Sequence, residues 1–222
     1  MTEQTNRIKR KLALLREADP GCKQFGARTH RYQLNPALAP AAVQAFEHAH
    51  HVQLPADYVA FLTEVGDGGA GPYYGVRSLE ASRALDWDDA RTHPTRYHDL
   101  GQPFPHAQPW NMTVELADLD EQIEQAAAAG DDDREEALHE QKWALAGADA
   151  HDYGRLSTCN YGCGITISLV VSGPAQGTMW TDDRADDAGL YPTSEGGITG
   201  SITFLDWYEH WLDASLAALK TA

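Results

Sequence analysis

Strand-forming residues are concentrated late in the chain, and that concentration limits the sheet it can build. Residues 157–171, STCNYGCGITISLVV, are dense in Thr, Ile, Val and Ser. SGPAQG supplies turn chemistry, and TMWTDDR returns as a second extended run. The pair reads as an antiparallel hairpin, and the acidic DDRADDAGLYP that follows it reads as loop. Elsewhere the periodicity is mostly helical. Residues 3–18 place Ile8, Leu12 and Leu15 on one face before the DPG stop. A second helix starts at Pro40 with Val43, Phe46 and Ala49 on its face, and ends at a turn by His51 and Val52. A third runs from Pro55 to Val65, with Tyr58, Phe61, Leu62 and Val65 at i, i+3, i+4, i+7. Leu116 to Ala129 and Asp133 to Ala146 form a helical hairpin, with Gly130 ending one arm and an Asp capping the next. Its alanine-rich, charged faces suit an insert at the domain rim. TFLDWYEHWLDASLAAL closes the chain with Thr203 and Asp206 as a capping box and Phe204, Trp207, Tyr208, Trp211 and Leu212 on one side. Residues 78–109 read as a long irregular connection.

VGDGGAGPYYG, residues 65–75, contains Gly66, Gly68 and Gly71 in the G-x-G-x-x-G spacing of dinucleotide-binding folds. The spacing binds phosphate only between a strand and the N-terminus of a helix. Here a helix precedes it and Pro72, Tyr73 and Tyr74 follow, so a nucleotide reading fails. Gly66 falls where a helix C-terminus favours positive φ, and the run is expected to turn the chain from helix into sheet.

At 222 residues one domain is the expectation, and no apolar run nears the ~20 residues that cross a bilayer. The N-terminus is charged and lacks a signal-peptide pattern, and three cysteines give no disulfide framework. Both features lead us to expect a cytoplasmic protein. Against 33 acidic residues stand 17 basic, a formal net charge of -16 that disfavours nucleic acid and anionic membrane and favours a basic partner.

Catalytic and metal-binding patterns are thin. His48, His50 and His51 crowd a helix end, where the dipole favours histidine without a metal. In an extended strand Cys159 and Cys163 stand about 13 Å apart, too far to share a zinc ion unless Gly162 turns. Cys163 in YGCG has no local histidine partner and reads as a small buried hydrophobe. We therefore expect no catalytic residues, cofactor or metal. Two acidic clusters remain: Asp86, Asp88 and Asp89 around Trp87, and Asp182, Asp183, Asp186 and Asp187 around Arg184. Flanked by Tyr73, Tyr74 and Trp180, they have the composition of a protein-binding rim. The partner-binding candidates are Asp67, Tyr73, Tyr74, Trp87, Asp88, Asp89, Asp182, Asp183 and Arg184.

In order, the chain shows a helix opening on L-P, a G-D-G-G-A-G-P loop, a G-C-G strand, an L-V-V-S-G-P hairpin, an acidic D-D-R loop and a W-Y-E-H-W-L helix. This combination, spanning about Pro40 to Leu212, resembles the SUKH superfamily of bacterial toxin-immunity proteins and a fungal regulator of cell-wall synthesis. The resemblance implies an α+β domain with a mostly antiparallel sheet packed against helices. Residues 1–39 and the insert near 116–146 fall outside the shared pattern. It further implies a non-catalytic binding module that neutralises a cognate toxin, for instance a nuclease, or alternatively a regulatory or scaffolding protein with a resident partner. The glycine loop, the Trp87 loop and the Asp182 to Asp187 loop are expected to gather on one concave side.

Overall fold

The computed structural model of the protein describes residues 2–85, 97–194 and 200–221. Its centre is a four-stranded antiparallel sheet in the order β1 (Arg155–Gly162), β2 (Ile165–Val170), β3 (Met179–Asp183) and β4 (Gly189–Pro192). The fold is α+β, as expected. Two sequence readings are corrected. The stretch 157–171, read as one strand, is two, because the chain reverses at Gly162 and Gly164 with Cys163 between them at φ 53°. The segment GLYP, read as loop, is β4 and pairs with β3.

The sheet has two unlike faces. One carries Leu156, Cys159, Ile167, Leu169 and Met179, which join the main core. Over it lie α1 (Glu3–Ala18), α3 (Pro40–His50), α4 (Ala56–Ala60) and α8 (Phe204–Thr221). A short helix, α2 (Ala27–His30), sits in the connection between α1 and α3. The expected apolar stripes are buried: Ile8, Leu12 and Leu15 on α1, Val43 and Phe46 on α3, and Phe204, Trp207, Tyr208 and Leu212 on α8. Ala49 is exposed. Glu209 of α8 fastens the two terminal helices together by accepting from Arg7 at 2.9 and 3.0 Å and from Lys11 at 2.8 Å. The hydrogen bonds from Arg7, with those from Lys11 and Gln4, hold its carboxyl down to about 2.

After α4 the backbone widens through Phe61–Val65, with Gly66 N–H donating to the Phe61 carbonyl across five residues. Tyr58, Phe61, Leu62 and Val65 are all buried there. Gly66 itself is extended, at φ 173°, so the expectation of a left-handed cap is wrong at this position. A glycine stands there because a Cβ would come within 2.7 Å of the Asn35 carbonyl. The left-handed region is needed further on, at Gly69 (φ 100°), whose missing Cβ would lie 2.5 Å from the Gln33 carbonyl. The loop continues the sheet beyond β1 through single antiparallel bridges, Leu34 to Gly69, Gly69 to Val76 and Val76 to Cys159. A bridge from Trp110 to Leu190 covers the opposite edge. Both edges are thereby capped.

The second face is polar: Arg155, Ser157, Thr166, Ser168 and Asp182 line it, beside a small cluster of Phe104, Val170, Trp180 and Leu190. Near it stands the insert, made of α5 (Met112–Glu115), α6 (Ala117–Ala129) and α7 (Asp132–Ala146). Met112, Leu116, Leu119, Ile123 and Leu138 give the insert a core of its own, with Trp110 packed against it. Gly130 (φ 68°) ends α6, and the Asp131 side chain caps α7.

Candidate functional site

The polar face holds a closed network of ions. Arg155, 2% exposed, opens β1. Its Nη2 donates to Asp182 Oδ2 at 2.7 Å and to Asp152 Oδ1, its Nη1 to Ser168 Oγ at 2.9 Å and its Nε to the His151 carbonyl at 3.0 Å. From the turn after β3, Arg184 donates to Asp182 Oδ1 at 2.9 Å and to Asp152 Oδ1 at 2.7 Å. Its Nη1 reaches the Ala146 carbonyl at 3.1 Å, placing a cation at the C-terminal end of α7, where the helix dipole favours one. Burial alone would raise both aspartates, but Arg155 and Arg184 outweigh it and hold Asp152 and Asp182 below the usual carboxylate range. Two guanidiniums and two carboxylates cancel in place. Such a set holds strands and the insert in register.

Histidines extend the network. His98, 4% exposed, bonds the Asp152 carbonyl through Nδ1 at 2.7 Å and Ser157 Oγ through Nε2 at 2.9 Å. Burial and then the Arg155 charge push its pKa down to about 3, so it is neutral. His106 Nε2 and His151 Nδ1 share one hydrogen bond at 2.9 Å, and His151 Nε2 donates to the Leu145 carbonyl at 3.1 Å. Burial lowers both imidazoles. A cleft of about 350 Å³ opens beside the ions, walled by Ser157, Thr166 and Gly147, with Trp143 of α7, 61% exposed, at its mouth. Among the described residues no group of three or more His, Cys, Asp or Glu is arranged to hold a metal ion. Gly162 does turn, but Cys159 is buried with its Sγ 3.2 Å from the Pro72 carbonyl, whereas Cys163, expected to be buried, is exposed because it sits in the turn itself.

The residues singled out from sequence fall into four groups. Asp182 and Arg184, expected on an exposed rim, belong to the internal network, because Arg155 from the start of β1 supplies the partner that draws them in. Asp67 organises its loop: Oδ1 accepts from Leu79 N–H at 2.7 Å, and burial raises its carboxyl. Trp87, Asp88 and Asp89 lie outside the described residues. Tyr73, Tyr74 and Asp183 do reach one end of the sheet. Tyr73 is half-buried with its ring 4.4 Å from that of Tyr161, and Tyr74 lies 5.4 Å from Phe25. Asp183 Oδ2 accepts from the Tyr191 hydroxyl at 3.1 Å; burial and then this carboxylate push Tyr191 up to about 12.

Phe25 and Tyr161 were not singled out from sequence, yet they are 63% and 44% exposed and complete the aromatic group with Tyr74, 38% exposed. The available signal was Tyr161 beside the glycine of YGCG. The turn that follows Tyr161 joins this group to the acidic loop. A Cβ on Gly162 would stand 3.5 Å from the Tyr74 ring, and one on Gly164 would stand 2.9 Å from the Ala185 Cβ. The glycine loop and the Asp182 to Asp187 loop therefore meet at one end of the sheet, bridged by the β1–β2 turn.

Compared with protein-family models, with curated proteins and with solved structures, the chain gives no match.

Proposed function

We propose that this chain is a non-catalytic protein-binding module that neutralises a basic toxin domain by direct contact. One observation carries the reading: Phe25, Tyr74 and Tyr161 stand exposed together, beside an acidic turn, on a chain of net charge -16. Aromatic side chains anchor protein interfaces, because they bury much area while freezing few torsions. An excess of negative charge steers a basic partner toward such a surface and speeds its capture. The order of motifs resembling the SUKH superfamily supports the same reading, with an intracellular toxin as the target. Next to this surface the ion network, through Arg184, fixes the turn that presents the acidic residues.

Co-expression tests the proposal. The gene is co-expressed with any basic enzymatic domain encoded in a neighbouring reading frame, and growth of the host is followed. Rescue of growth together with a stable one-to-one complex on size exclusion is the expected result. A chain that neither rescues nor co-elutes is not this domain's inhibitor.

A further inference from the structure

We propose that the end of the sheet formed by the β1–β2 and β3–β4 turns is a polarised docking surface for a protein segment in which arginine or lysine alternates with apolar side chains. The inference rests on the binding-module reading and adds where the partner sits and which chemistry it presents.

The apolar half is Phe25, Tyr74 and Tyr161, backed by Tyr73. Their rings touch one another, with centroids 4.4 to 6.2 Å apart in tilted and edge-on arrangements. Rings that already brace each other lose little further freedom when a partner covers them. The acidic half is the turn DDRADD. Read as sequence, it holds a cation at its centre. In the fold, Arg184 is drawn inward by Asp182 at 2.9 Å and Asp152 at 2.7 Å, with its Nη1 on the Ala146 carbonyl. What the turn presents outward is Ala185, Asp186 and Asp187, all exposed. The internal network therefore does more than hold strands: by withdrawing the one cation it leaves the lip with only carboxylates.

The two halves are contiguous, because Gly162 lies against Tyr74 and Gly164 against Ala185. Lys23 and Arg28, both exposed, flank Phe25 in sequence, so the aromatic half has basic neighbours along the chain while the lip at Asp186 and Asp187 is acidic. A guanidinium or ammonium over Tyr161 gains from the ring face and from the nearby carboxylates, while its methylenes or an adjacent leucine cover the rings. Charge polarity fixes the direction in which such a segment lies. Nucleic acid is repelled by the same lip.

The test is a two-dimensional NMR titration of the full ¹⁵N-labelled chain with a synthetic peptide of alternating arginine and leucine, with a glutamate and leucine peptide as control. Resonances of Phe25, Tyr74, Tyr161 and residues 185–187 are expected to shift with the basic peptide alone. The double variants Tyr74→Ala/Tyr161→Ala and Asp186→Lys/Asp187→Lys are each expected to weaken binding at least about tenfold. Asp132→Lys/Asp133→Lys on α7, which makes the same change of net charge elsewhere, is expected to change it less than about threefold. All the substituted side chains are exposed, and the charge variants keep the proposal testable should the tyrosine pair impair folding. Shifts confined to α6 and α7, no shift at the sheet end, or equal losses from both charge reversals overturn the surface. A chain that protects against the toxin but takes the peptide elsewhere refutes this surface alone. A chain that takes the peptide here but gives no protection refutes the toxin reading alone.

Discussion

Arg155, at the first position of β1, donates to Asp182, near the last position of β3, across 2.7 Å, and both are at least nine-tenths buried. The pair spans β2, so it ties the beginning of the hairpin to the turn that carries the acidic lip. Removing Arg155 alone strands two buried carboxylates with one remaining cation. Arg155→Met is expected to cost about 3–5 kcal/mol in urea unfolding, and the double change Arg155→Met/Asp182→Leu to recover a large part of it, since Arg184 and Asp152 still pair. Losses that merely add in the double variant contradict the coupling.

His98 makes stability depend on pH. Its folded pKa, about 3, lies below the unfolded value of about 6.5, so below that pH the unfolded chain binds a proton that the folded chain refuses. The contribution is complete above pH 6.5 and falls as pH drops, by roughly 1.4 kcal/mol per unit. His30 and His106, held down to about 4 chiefly by burial, add to the same limb. Asp152 and Asp182 are also depressed, and their stabilisation is lost only below about pH 4. Unfolding midpoints at pH 7.5, 6 and 5 should fall less steeply in His98→Gln than in the natural chain. An unchanged slope contradicts a neutral, buried imidazole.

The glycine loop should reject a β-carbon where it meets residues 33–35. At Gly69, alanine combines a φ of 100° with a carbonyl 2.5 Å away, and Gly69→Ala is expected to lower stability by about 3 kcal/mol or more. Gly130→Ala places alanine at φ 68° with nothing within 4 Å and should cost only about 1 kcal/mol. Thermal unfolding of the two variants measures the difference. Equal losses mean that the close approach at Gly69 is unimportant.

After the glycine loop the chain turns into a bridge from Val76 to Cys159 and opens no helix there, so no helix N-terminus faces the loop to receive phosphate. Millimolar ATP or NAD is expected to leave the melting temperature unchanged, whereas binding that saturates the chain would raise it.

Much of the helical frame was legible because its signals are local. Stripes such as Ile8, Leu12 and Leu15, and the stop at Gly130, need only periodicity and a left-handed residue. The sheet was half legible. Composition located β1 to β3, but the reversal at Gly162, Cys163 and Gly164 hides inside a run of strand formers, and β4 is four residues long and follows an acidic stretch. The site was least legible. Asp182 reads as solvated beside three other aspartates, and it is buried only because Arg155, 27 positions earlier in the chain, comes to face it through two strand pairings. Tyr73, Tyr74 and Asp183 were singled out by composition, and the fold brings them to one end of the sheet. Phe25 was not, since its ring contacts join residues nearly fifty positions apart.

Capture of a basic protein domain by this acidic chain is measured by calorimetric titration of the full chain with the inactivated form of any basic enzymatic domain encoded next to its gene. One-to-one binding is expected, sub-micromolar at low salt and weakening as salt rises. The absence of binding at low salt, or binding indifferent to salt, contradicts this expectation.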